Sequence, residues 1–179
     1  MTLKGLSAFE LSKIFNEGKS PLVASLLGPP HEIPCDWRVD MLTGPIPNLG
    51  GWPLHHRKRF QKRDNGRVEG FNLFFGNTRW GAFDVKNEYH VTANRLELYF
   101  NYDKLENSSI VRGFLDYVRT TEDSNLLLGK FFYIKGSRAL GPYFFSLARV
   151  MSMEWILETM IKNKTQKGST LNASNRAVI

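Results

Sequence analysis

The run Arg95-Leu96-Glu97-Leu98-Tyr99-Phe100-Asn101-Tyr102 alternates side-chain character without a break, so that Leu96, Leu98, Phe100 and Tyr102 fall on one face. A period of two is the period of an extended chain and not of a helix, and it predicts a strand with one buried side. The neighbouring sequence repeats the theme. Asp64-Asn65-Gly66 is a strong hairpin signal, because the favoured tight turns need positive φ, which Asn and Gly tolerate. It joins a strand ending near Phe60-Gln61 to one starting near Arg67, in which Glu69, Phe71, Leu73 and Phe75 share a face. Further strands are expected over Arg79–Lys86, Tyr117–Thr121, Leu126–Ile134 and Tyr143–Val150. Turns are expected at Gly76-Asn77, Asn87-Glu88, 122–125 and 136–142, and one short helix within Ser108–Asp116. About seven or eight short strands joined mostly by tight turns predict a mainly β fold, an antiparallel up-and-down barrel over residues 52–150. Parallel α/β architecture is disfavoured, since no long helix separates successive strands.

The ends differ in character. Ser7-Ala8-Phe9-Glu10 has the form of a capping box, and Leu11, Ile14 and Phe15 supply the apolar stripe of a helix that Gly18 closes. Ser20-Pro21 opens a second short helix through Leu27. From Gly28 to Trp52 the prolines and glycines, among them Pro34, Gly44-Pro45 and Gly50-Gly51, predict a long loop, so residues 1–51 read as short helices and a Pro/Gly-rich loop packed on the barrel. Met153, Ile156, Leu157, Met160 and Ile161 recur at helical spacing opposite Glu154, Glu158 and Lys162, predicting an amphipathic helix over 151–163 and a polar, flexible tail over 164–179.

The formal net charge is +7, and much of it is concentrated in Arg57, Lys58, Arg59, Lys62, Arg63 and Arg67 around the Asp64-Asn65-Gly66 turn. A basic hairpin of this kind either forms a solvated edge or meets a polyanion, nucleic acid or phospholipid, through Arg57, Arg59, Arg63 and Arg67. The lone Cys35 excludes an internal disulfide, and with four scattered histidines it makes no zinc site, so no metal is expected. His55-His56 are adjacent and would point to opposite faces of a strand. Asp116 and Arg119 read as a structural ion pair. Glycine-rich phosphate loops, serine elbows and paired metal-binding histidines are absent. No apolar run approaches the roughly 20 residues of a spanning helix, and no secretory leader follows Met1-Thr2-Leu3-Lys4, so a cytoplasmic location is expected.

The later part of the chain carries a resemblance. Trp80-Gly81-Ala82-Phe83, Tyr102-Asp103, Glu106-Asn107, Arg112, Asp116-Tyr117-Val118-Arg119, Leu126-Leu127-Leu128-Gly129-Lys130 and Pro142-Tyr143-Phe144-Phe145-Ser146-Leu147-Ala148-Arg149 occur in this order. Over residues 80–149 the chain resembles bacterial proteins with a calycin, that is lipocalin-like, barrel. The Gly-x-Trp-x-Gly signature of one such group is not present, Gly51-Trp52 being followed by Pro53. The resemblance implies a closed or nearly closed antiparallel barrel with an interior able to hold an apolar molecule, and no established activity. Phe71, Phe83, Leu96, Leu98, Phe100, Tyr102 and Phe131 are then the candidate ligand-binding residues. The same rings could instead fill the interior, and the sequence leaves both outcomes open. The leading functional expectation is non-enzymatic binding of a small hydrophobic or amphipathic ligand. The alternatives are an anionic-surface protein using the basic hairpin and a lyase or isomerase using the barrel pocket.

Overall fold

A computed structural model describes residues 2–28, 34–44, 57–73, 78–90 and 94–150. Among these the chain is mainly β, with a single α-helix and a closed barrel of eight antiparallel strands in sequential order. The strands are β1 (Cys35–Met41), β2 (Arg57–Lys62), β3 (Val68–Leu73), β4 (Arg79–His90), β5 (Arg95–Asn101), β6 (Phe114–Thr120), β7 (Leu126–Lys135) and β8 (Arg138–Arg149). Closure is made by β1 against β8, with Trp37 opposite Arg149 and Met41 opposite Phe145. Each described strand therefore has a neighbour on both sides over the body of the barrel.

The first strand lies inside the stretch expected to be loop. Its flanks, Pro34 and Gly44, do break structure, but the seven residues Cys35–Met41 between them hold neither Pro nor Gly. Cys35, Trp37 and Val39 are buried in alternation, the signal of a strand with one inward face. Three other boundaries move. Strand β4 runs unbroken through Asn87-Glu88, where a turn was expected, because that pair continues the ladder opposite Leu98 and Glu97. The expected helix within 108–116 shrinks to a single 3-10 turn, Val111–Gly113, followed at once by β6. The last hairpin is tighter than the sequence suggests, with Lys135 already opposite Arg138. The helix expected over 151–163, the tail, His31, His55-His56 and the Gly76-Asn77 turn lie outside the described residues.

Inside the barrel, the rings of Phe60, Phe83 and Phe100 form the centre. Phe83 stacks on Phe100 at 5.0 Å between centroids, and Phe60 meets them at 5.8 and 5.3 Å. Two glycines make room for rings in this narrow interior. A side chain at Gly70 would overlap the Phe83 ring, and one at Gly129 would overlap Phe145. The middle of the barrel is thus filled with its own side chains.

The N-terminal helix α1 (Ala8–Glu17) begins as expected, with the Ser7 and Glu10 capping box formed in both directions. It lies on the outer wall, where Leu11 and Phe15 pack with Leu3, Leu128 and Phe144. The next segment makes a short 3-10 helix (Val23–Leu26) capped by Leu22 and not by Ser20. It closes the barrel end at which β1 starts and β8 stops. Leu26 and Leu27 join the interior cluster, and the Trp37 indole donates to the Leu26 carbonyl at 2.9 Å. The Arg149 guanidinium covers the Trp37 ring at 4.5 Å and donates to the carbonyls of Leu27, at 3.0 Å, and Ser25. Asn87 pins the same segment, accepting from the Val23 amide and donating to Ser20 and Pro21. These contacts satisfy buried backbone groups that would otherwise be costly.

Candidate functional site

Towards the opposite end, the one where β2 begins and β5 finishes, four polar side chains meet inside the wall. In β2 the side chains of Lys58 and Phe60 are buried while Arg57, Arg59 and Gln61 are only partly so, which sends the Lys58 stem inward. Its cross-strand neighbour on β3 is Asn72, and its ammonium donates to the Asn72 amide oxygen at 2.9 Å. The lysine is long enough to cross the lumen to β6, where Nζ lies 3.1 Å from Oδ2 of Asp116. The Tyr102 hydroxyl sits between them, accepting from Lys58 and donating to Asp116 Oδ2 at 3.0 Å. Lys58 is 2 % exposed, Asn72 2 %, Tyr102 3 % and Asp116 4 %, so water does little to solvate the pair. The ammonium also faces the rings of Phe83 at 4.9 Å, Tyr102 at 5.2 Å, Phe145 at 5.5 Å and Phe100 at 5.8 Å. Ring faces attract a desolvated cation, which offsets part of the cost of burying it.

Burial pushes the Lys58 ammonium below its ordinary range, and the Asp116 carboxylate opposes that shift. Burial pushes the Tyr102 hydroxyl well above its ordinary value, and Asp116 adds to the rise. The two act on stability with opposite signs. Between its lowered folded value and the unfolded lysine value, about 10.4, the unfolded chain holds a proton at Lys58 that the folded one has released, so stability rises with pH through that window. Tyr102 stays protonated in the fold where a free tyrosine, with a pKa of about 10, ionises. Its contribution is complete below about pH 10 and is lost as the pH rises further. Tyr102→Phe removes that second term, so denaturant titrations across alkaline pH should show wild type losing stability more steeply above about pH 10 than the variant. Parallel curves would contradict this placement of the hydroxyl.

Between this cluster and the barrel rim stands a row of half-buried rings. Tyr102 meets Phe114 at 6.2 Å, Phe114 meets Phe131 at 6.2 Å and Tyr133 at 5.2 Å, and Phe131 meets Tyr143 at 5.1 Å. Met41 and Phe131 pack against the interior cluster without being fully buried. Phe114, Phe131, Tyr133 and Tyr143 thus form an aromatic collar on β6, β7 and β8, with the polar cluster as a floor beside it. A separate groove of about 390 Å³ lies on the outer wall among Glu88, Glu97, Tyr99, Tyr117 and Ile134. There Glu97 is already matched by Arg95 and Arg119, and Glu88 accepts from Tyr99, whose hydroxyl is pushed up to about 12 by burial and Glu88.

The candidate ligand residues divide. Phe83, Leu98, Phe100 and Tyr102 are interior and buried, and Phe131 stands in the collar. Phe71 is not in the interior. Gly70 and Asn72 take the inward positions of β3, and Phe71 lies under the Arg79 guanidinium at 3.8 Å, outside the core cluster. Leu96 shares the face of Leu98 but comes too close to the strand's start, and is 47 % exposed. Three of the four arginines are ion-paired and still partly exposed. Asp36 holds Arg59 through two oxygens at 2.6 and 2.9 Å and Arg57 at 3.2 Å, and Glu69 holds Arg63, while Arg67 stays exposed. Asp116 and Arg119 are not partners, since Asp116 faces Lys58 inside and Arg119 meets Glu97 on the outer side, donating also to the Gly18 carbonyl at 2.6 Å. The residues of this end that sequence reasoning did not place in a site are Lys58, Asn72, Asp116, Phe114, Tyr133 and Tyr143. Among the described residues no group of His, Cys, Asp and Glu could hold a metal ion. No helix there is long and apolar enough to cross a membrane.

No family model matches the chain, and comparison with curated proteins and with solved structures finds no match either.

Proposed function

We propose that the chain is a calycin-like binding barrel that takes one small amphipathic molecule at its collared end. The apolar part rests against Phe114, Phe131, Tyr133 and Tyr143, and the polar part reaches the floor formed by Tyr102, Lys58, Asn72 and Asp116. The observation that supports this reading is the buried ion pair itself. In a ring-filled barrel, apolar residues of the same volume would serve stability as well or better, so a lysine and an aspartate held together inside point to a use other than packing. The pair is neutral as a unit. A ligand bearing its own charge would leave an unmatched charge in an apolar interior, so the polar group that fits is uncharged, a hydroxyl, carbonyl or amide.

Fluorescence titration of the purified chain with a neutral amphipathic probe, with native mass spectrometry of the same sample, tests the reading. One saturable site and a one-to-one adduct are expected, and no saturable uptake across several apolar probes would overturn it. A second reading, proton-transfer chemistry at the same floor, is favoured by the hydrogen-bonded order Lys58, Tyr102, Asp116. It requires the same ligand occupancy first. For the polyanion alternative, Asp36 and Glu69 neutralise part of the charge of Arg57, Arg59 and Arg63, which stay partly exposed beside Arg67.

A further inference from the structure

The collared end carries a second feature, on its outside. Strands β7 and β8 continue past the start of β6, whose first residue, Phe114, lies opposite Tyr133, and their hairpin projects from the rim. On it Ile134 is 40 % exposed and Leu140 53 %, on opposite faces, since Leu140 lies opposite Tyr133 and shares its side while Ile134 lies opposite Ala139 on the outer one, so the pair flanks the projecting tip. The 3-10 turn Val111–Gly113 packs beside this hairpin, since a side chain added at Gly113 would meet the Ile134 carbonyl and the Tyr133 ring. Its N-cap Ile110 is 65 % exposed and, further round, Leu105 is 92 % exposed. The loop bearing Leu105 is fixed to the first residues of β4 through Asn107, which exchanges hydrogen bonds with the Ala82 amide and carbonyl. Exposed apolar side chains thus flank the hairpin tip and the 3-10 turn beside it, while Leu105 stands on the outer wall, where Lys104 next to it reaches Glu69 and Asp84.

Cations alternate with them. Lys104 is matched by Glu69, Asp84 and Glu106, and Arg112 by Asp103. Lys135 and Arg138, opposite each other near the hairpin tip, are exposed and enter no ion pair among the described residues. Apolar tips that can enter the headgroup region, set beside unmatched cations, complement an anionic lipid surface on both counts. The chain's excess of positive charge points the same way.

We infer that the collared end docks on an anionic phospholipid surface through the hairpin tip, with Ile134 and Leu140 on its two faces and Ile110 beside it, and with Lys135 and Arg138 meeting the headgroups. The inference stands apart from the ligand reading, because vesicle binding is measured with no ligand present.

The test is flotation of the full chain with vesicles of phosphatidylcholine alone and with a third of phosphatidylglycerol. Wild type should float with the anionic vesicles, stay behind with the neutral ones, and release as salt rises. Ile134→Glu/Leu140→Glu should abolish flotation, and Lys135→Ser/Arg138→Ser should weaken it by about fivefold for each cation removed. Both pairs of positions are exposed, so circular dichroism should be unchanged. Arg63→Ser/Arg67→Ser, at the other end of the barrel, should float like wild type. The inference is overturned if wild type ignores anionic vesicles, if the hairpin variants float normally, or if only the Arg63/Arg67 variant fails. It is also overturned if Ile134 and Leu140 prove to hold two copies together, seen as a dimer that the glutamate variant splits.

Discussion

Lys58→Met alone should cost about 3–5 kcal/mol, whereas Lys58→Met combined with Asp116→Leu should lie within about 1 kcal/mol of wild type or above it. The asymmetry follows from what each change leaves behind. Removing the ammonium strands an Asp116 carboxylate that is 4 % exposed, with only the Tyr102 hydroxyl to serve it. Removing both charges leaves apolar volume and a tyrosine hydroxyl still near the Asn72 amide, so little desolvation cost goes unanswered. Denaturant unfolding of wild type, both single variants and the double variant gives the coupling directly. If the two single variants simply add in the double, the pair does not act as a unit.

Phe100→Ala should cost about 3–5 kcal/mol as well, through a different mechanism. The ring is fully buried and touches Phe83 and Phe60, so its loss opens a void lined by rings that the closed ladder cannot collapse to fill. In a chain of this size each kcal/mol lowers the melting temperature by about 2–4 °C, so thermal unfolding should show a drop on the order of 10 °C. A loss below about 1 kcal/mol would mean that the centre of the barrel is loosely packed.

The sequence made most of the barrel legible because its strands are short, alternate cleanly and are punctuated by turn residues. The run from Arg95 to Tyr102 emerged as β5 with Leu98 and Phe100 inward, and the Asn65-Gly66 turn joins β2 to β3. Strand β1 was hidden by the prolines and glycines around it, although Cys35, Trp37 and Val39 alternate as plainly as β5 does. The polar floor was hidden differently. A lysine in the middle of Arg57-Lys58-Arg59 reads as one more surface charge when the run is judged by composition. Judged by period, Lys58 stands two residues from Phe60 and must share its inward face. Its partner Asp116, on β6 across the lumen, cannot be inferred from spacing, because only the register of a closed barrel brings β2 and β6 into reach. Phe71 shows the limit of apolar patterning. Phe71 and Leu73 look like an inner face, but Gly70 and Asn72 hold those positions because the lumen needs space for Phe83 and an acceptor for Lys58.

The central claim, that the buried polar floor recognises a ligand beneath the aromatic collar, is tested most directly by one paired titration. Wild type and the Lys58→Met/Asp116→Leu variant, matched for folded fraction by circular dichroism, are titrated with the same neutral amphipathic probe. Wild type should show a single saturable site, and the charge-free variant should bind about tenfold or more weakly, the loss of one or two hydrogen bonds to a charged partner. Equal affinity in the two proteins, or no saturable binding to either, would contradict the account.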